Sequence, residues 1–205
     1  MTVSAEERAR GIKIILFDLD GVLTDGTIWV CPMPVALPDG SVTTRLVEPK
    51  GFNAHDGAGV TLARLGGMKV GVITKRISET VALRARDLKM EFVYQGQAFK
   101  MQAVREIAAQ AGVALDEIAY VGDDVIDLPP MREVGLAVAV ANARAEVKAE
   151  AHYVTPHAGG HGAGRDAIEF ILAAKGLLEQ CIAASIDESN PLPGSMDIGK
   201  GGDLQ

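Results

Sequence analysis

Residues 12–26 read IKIILFDLDGVLTDG, an aliphatic run that ends abruptly in Asp18 and Asp20 and then in Gly21. The run is short and, from Ile14 to Phe17, apolar on every position, which is the pattern of a strand buried on both faces of a parallel sheet. Ligands of such sheets bind where the strands end at their carboxyl edge. Two carboxylates at i and i+2 in that place repel one another, and their pairing is sensible around a cation. Gly21 lets the backbone turn tightly behind them. An Asp-Gly pair alone would usually be only a turn closing a strand. DxDG directly after a fully apolar strand is far more specific.

Working outward, the same pattern recurs. MKVGVIT (68–74) ends in a hydroxyl, and IAYV (118–121) empties into Gly122-Asp123-Asp124-Val125-Ile126-Asp127. Residues 91–94, LAVAV at 136–140 and a short stretch at 152–155 are further strand candidates. Helical patterns lie between them at about 57–65, 78–88, 100–111, 126–133 and 144–149, and a longer one runs from 163 to 182. Strands alternating with helices predict an α/β fold with a parallel sheet and helices on both faces. The alternation breaks at 27–47. There TIWV and SVTTRLV flank the Pro-rich CPMPVALPDG, which predicts a β-hairpin with a long tip projecting from the sheet. One domain is expected over 1–182, followed by a mobile tail over 183–205 that is rich in Gly, Pro, Ser and Asp.

Composition narrows the function. The chain has 205 residues, 48% hydrophobic and only 4% aromatic, so its core must be aliphatic. Its 20 basic and 27 acidic side chains give a net charge of −7. An acidic chain without a basic stripe argues against nucleic acid and anionic membrane as partners. A phosphate substrate would then need local positive charge, from a divalent cation and one or two lysines. Cys31 and Cys181 have no metal-type spacing and read as free thiols in a reducing compartment. The first residues have no apolar signal core, so a cytoplasmic protein is expected.

Thr74, followed by Lys75 and Arg76, could hold phosphate oxygens at a strand-to-helix turn, although a helix-capping role accounts for it equally well. Lys100, taken alone, reads as a solvated lysine. Asp124 or Asp127, taken alone, reads as a helix N-cap. Two aspartate clusters at two strand ends are not explained that way.

DxDG, a strand-terminal Thr, a Lys and GDDxxD, in this order, resemble the haloacid dehalogenase superfamily. DLDGVLTDGTI, FNAHDGAGV, ITKR, YQGQAFK, AYVGDDVIDLP and AGGHGAGRD extend the likeness, over about residues 12–175, to its 3-deoxy-D-manno-octulosonate 8-phosphate phosphatase branch. The resemblance implies a three-layer Rossmannoid fold without a cap domain. It implies a magnesium-dependent phosphomonoesterase of lipopolysaccharide precursor synthesis. Asp18 would be the nucleophile, forming an aspartyl-phosphate, and Asp20 the acid and base. Mg2+ would bind the side chains of Asp18 and Asp123 and the carbonyl of Asp20. Thr74 and Lys100 would hold phosphate oxygens, and Lys100 would also restrain Asp18. Asp124 and Asp127 would support these groups or touch the metal weakly.

Asn53, Ala54, His55, Asp56 and Gly57 match the substrate-contacting loop of that branch. Arg76 and Arg84, eight residues apart, match arginines that meet a sugar acid. The resemblance also implies a homotetramer in which a neighbour's hairpin and C-terminal segment help close the site. The chain departs from the pattern at Thr61 and His161, where arginines are expected, and at Lys75, where glycine is expected. The stretch before Asn53 is about a dozen residues longer, and long ordered loops are usually functional or mobile. The alternatives are a phosphatase of the same build acting on a nonulosonate 9-phosphate or another small ester, and a non-catalytic oligomerising module. The module would not need the five chemical residues, all of which are present.

Overall fold

A computed structural model describes residues 3–189. In chain order the elements are α1 (Ala5–Arg10), β1 (Ile14–Phe17), β2 (Cys31–Ala36), β3 (Val42–Val47), α2 (Ala54–Leu65), β4 (Lys69–Ile73), α3 (Glu79–Asp87) and β5 (Phe92–Tyr94). They continue as α4 (Lys100–Ala111), β6 (Ile118–Gly122), α5 (Leu128–Met131), β7 (Leu136–Ala139), α6 (Ala145–Glu150), β8 (Tyr153–Val154), α7 (Ala163–Ala174) and α8 (Leu178–Ser185).

Six strands form one parallel sheet in the order β5-β4-β1-β6-β7-β8. β1 is central because Ile14 to Phe17 are fully buried aliphatic and aromatic side chains with neighbours on both edges. Burying each such side chain stabilises the fold by about 1.5–3 kcal/mol. Connections leave β1 in one direction through α2 and α3, and return past it through α4, α5 and α6. Right-handed crossovers therefore put these two helix sets on opposite faces, and α7 returns to pack on α2. The chain is thus three-layered, as its patterning predicts. β1 and β6, whose ends carry the two aspartate clusters, are hydrogen-bonded neighbours.

Four local readings differ from the structure. Residues 27–30 are not a strand; instead Cys31–Ala36, inside the expected tip, pairs with Val42–Val47. The reversal falls at Pro38-Asp39-Gly40, where Gly40 has φ +83° and Leu37 N–H donates to Ser41 O. With that register Pro32 and Pro34 share one parity, which turns their missing N–H groups to the outer edge, where proline is tolerated. The expected helix over 163–182 is two helices, broken at Gly176 with φ +70°. The one over 126–133 is a tight turn followed by the short α5, whose Pro129 and Pro130 are tolerated only in a first turn. α1 went unread although Ser4 and Glu7 form a capping box at its start. α8 extends to Ser185, and residues 190–205 of the expected tail lie outside the described part.

Candidate active site

The loop after β1 starts with Asp18, whose N–H donates to Val121 O of β6, so the two strand ends are locked together. Gly21 then takes φ +95°, and a Cβ there would overlap the Asp123 carboxylate. Gly122 is constrained in the same way by Asp127. The two glycines let three carboxylates converge: one oxygen each of Asp18, Asp123 and Asp127 lies within 4.8 Å of the others.

Lys100, the first residue of α4, is the cation among them. Its buried Nζ lies 2.6 Å from Asp18 Oδ1 and 2.7 Å from Asp127 Oδ1. Burial alone would push this ammonium down. The Asp18 and Asp127 carboxylates outweigh that and hold it above the ordinary lysine value. Asp127 is fully buried and fully used: Tyr120 Oη donates to its Oδ1, and the N–H groups of Asp123 and Asp124 donate to its Oδ2. It is therefore the post of the site, holding the lysine and the Asp123 loop at once.

One lysine does not neutralise three carboxylates. Burial, then Asp127, raises the Asp18 carboxyl to about 6, against the pull of Lys100. Burial, then Asp18 and Asp127, raises Asp123 to about 7. Asp123 Oδ1 is buried without a hydrogen-bond partner among the described residues. An orphaned carboxylate oxygen beside a second strained carboxylate is the donor set of a hard divalent cation, so these residues fit a metal. Asp127 has both oxygens engaged, which leaves the side chains of Asp18 and Asp123 as the candidate ligands.

A cleft of about 200 Å³ opens over this cluster, lined by Asp18, Asp20, Thr74, Lys75, Arg76, Asp123, Asp124 and Ile126. Thr74 is buried at the end of β4. Its Oγ1 accepts from Arg76 N–H at 3.3 Å, so its own O–H is available to an anion. Asp124 is exposed and caps the following turn through Val125 N–H. Asp20 faces Arg76 at 3.7 Å and is ion-paired with Lys50. Arg76 is gripped in turn by Glu48, with Nη1 3.0 Å from Oε1. Lys50 and Glu48 sit just past β3, and the sequence offered no signal for either, because each reads there as an ordinary surface charge.

The remaining expected contacts lie apart from this cleft. Asn53 caps α2 through His55 N–H and donates to Gly160 O. Ala54 opens α2, and Gly57 follows in its first turn. Asp56 is buried, and its Oδ1 accepts from Arg165 N–H in the first turn of α7. Arg84 packs against Gly57 and lies over the Phe52 ring, 5.8 Å from its centre. Both line a narrow apolar cavity with Leu19, Leu23 and Val60. His55 and His161 border a separate polar cavity of about 340 Å³ with His157 and Arg165. Thr61 turns its hydroxyl back to Gly57 O. The glycine-rich AGGHGAG closes on the β1 loop. Gly160 N–H donates to Val22 O, and neither Gly159 nor Gly160 has room for a Cβ there.

The parallel sheet, the strand-end aspartates and the buried lysine define a haloacid dehalogenase-like hydrolase. Residues 73–165 match the family model of that description. The chain is 37% identical over 179 residues to the 3-deoxy-D-manno-octulosonate 8-phosphate phosphatase of Escherichia coli K12, covering 87% of this chain and 89% of that protein. The corresponding Yersinia pestis enzyme is equally similar, and its crystal structure superposes with a TM-score of 0.75, covering 85% of this chain and 88% of that one. The Moraxella catarrhalis enzyme, 33% identical, was solved with magnesium, phosphate and KDO and superposes with a TM-score of 0.76 over 87% of this chain and 96% of that one. The chain belongs to the 3-deoxy-D-manno-octulosonate 8-phosphate phosphatase family and is a phosphoric monoester hydrolase.

Proposed function

We propose that this protein hydrolyses 3-deoxy-D-manno-octulosonate 8-phosphate to the free sugar acid and phosphate, with magnesium as its cation. The observation that carries the reading is the buried cluster in which Lys100 holds Asp18 while Asp123 keeps an unpartnered oxygen.

The side chains of Asp18 and Asp123 and the carbonyl of Asp20 would hold the ion. Bound there, magnesium supplies the positive charge that lets one anion approach another. Lys100 fixes Asp18 Oδ1, which leaves Oδ2 as the attacking atom. Attack on phosphorus forms an aspartyl-phosphate and releases the sugar alkoxide. Asp20, at the mouth of the cleft, gives the alkoxide a proton and then takes one from the attacking water. The Thr74 hydroxyl and Lys100 steady the phosphoryl oxygens. Arg76 and Lys75 line the same cleft and can meet the carboxylate of the sugar acid with charge-assisted hydrogen bonds.

The working form is a homotetramer in the cytoplasm. Its support is the hairpin: a lone two-stranded ribbon is marginal in water, yet here Val42 and Leu46 are 71% and 68% exposed, and Trp29 just before the ribbon is 61% exposed. A second copy that covers this ribbon would also shield an uncapped site. No helix of the described residues is long and apolar enough to cross a membrane.

Substrate choice is tested by kcat/KM on 3-deoxy-D-manno-octulosonate 8-phosphate against a neutral hexose 6-phosphate. A charge-assisted contact contributes roughly 1.5–3 kcal/mol, so a preference of about ten- to a hundredfold for the acid is expected. Equal values would remove the sugar acid and leave the phosphatase.

A further inference from the structure

We propose that Lys50, on the hairpin stem, is the positioning residue of the acid–base carboxylate Asp20; this rests on the role given to Asp20 above. The Lys50 side chain is only 1% exposed, although the backbone that carries it runs at the surface. Hiding an ammonium costs several kcal/mol unless it is closely paired. Among the described residues its one ion pair is with Asp20 Oδ1. The stem thus reaches inward to grip one oxygen of a side chain in another loop. The second oxygen, Oδ2, is left towards the cleft, where the next cation, Arg76, stays 3.7 Å away and is itself held by Glu48.

Asp20 needs such a clamp. Asp18 has Lys100, and Asp123 is seated by its loop on Asp127, but Asp20 lies beyond the strand end, and among the described residues its side chain has no hydrogen bond besides that from Lys50. A group that delivers a proton to a leaving oxygen must stand within hydrogen-bond reach of it, so a rotamer error costs rate. A clamp on the hairpin also explains why the stem, otherwise a surface ribbon, enters the site at all.

The reading has a signature that a merely structural lysine would lack. Protonation matters for a poor leaving group such as a sugar alkoxide, and little for p-nitrophenolate. kcat/KM covers the steps up to formation of the aspartyl-phosphate and so isolates this protonation. Lys50→Met should lower kcat/KM for an alkyl phosphate by about ten- to a hundredfold, and for p-nitrophenyl phosphate by less than about threefold. Lys50→Arg should recover most of the loss. Asp20→Asn, measured alongside, should show the same discrimination more strongly. Equal losses on both esters, or no loss on either, would overturn the proposal while Asp20→Asn still discriminates. A non-discriminating Asp20→Asn would overturn the acid–base reading itself and the clamp with it. If Lys50→Met does not fold, Lys50→Gln carries the same comparison.

Discussion

Asp127 shows how much one side chain can organise. Its two oxygens receive Lys100 and Tyr120, both buried, and two backbone N–H groups. Removing it leaves a buried ammonium with one partner and three donors with none. Breaking a buried pair costs about 3–5 kcal/mol. Asp127→Ala should therefore lose about that much stability in urea unfolding and nearly all phosphate release, although Asp127 touches no substrate. A variant of unchanged stability would show that the network is not what holds Lys100.

At the scale of elements, the site is assembled by close backbone approach. The 159–160 glycine pair lies against the β1 loop, and Gly160 adopts φ +71°. A methyl group there would meet the backbone of Thr24 and Asp25, and neither can retreat as a flexible side chain could. Gly160→Ala should cost roughly 1–3 kcal/mol by overpacking. It should also depress kcat, because it displaces the loop that carries Asp20. Urea unfolding and phosphate release on the same sample check both effects.

At the scale of the whole molecule, the acidic cluster links folding to protons and metal. Asp18 and Asp123 titrate near 6 and 7 in the fold, against 3.8 for an ordinary aspartate. Between these values the folded chain binds more protons than the unfolded one. Stability of the metal-free protein should thus fall as pH rises from about 4 to about 7 and level off above. Magnesium needs the ionised pair, so the gain in Tm that it gives should be larger at about pH 8 than at about pH 5. Equal gains would place the ion elsewhere. The hairpin belongs to this scale too. Val42→Glu with Leu46→Glu puts two charges on one face of the ribbon. If the proposed tetramer forms through this face, light scattering should then show its dissociation, with activity lost in step. An active tetramer would show that the ribbon is not the contact.

The succession of the six parallel strands and the helices between them, the buried β1 and the two strand-end aspartate clusters were legible in the sequence, because each is written in local pattern: apolar runs, period, and the residue that ends a strand. What only the tertiary structure decided is the meeting of distant charges. Lys100 alone read as a surface lysine, and Lys50 and Glu48 carried no signal at all. Their roles come from burial and from partners far along the chain: Lys100 with Asp18 and Asp127, Lys50 with Asp20, and Glu48 with Arg76. The same holds for Asp56 and Arg84, which the fold turns towards α7 and Phe52. The pairing register of the hairpin was likewise set by the turn at Gly40 rather than by β propensity. Local sequence fixes backbone preference within a few residues. Electrostatic partnership depends on distance in space, and only the packing of sheet, helices and hairpin sets that.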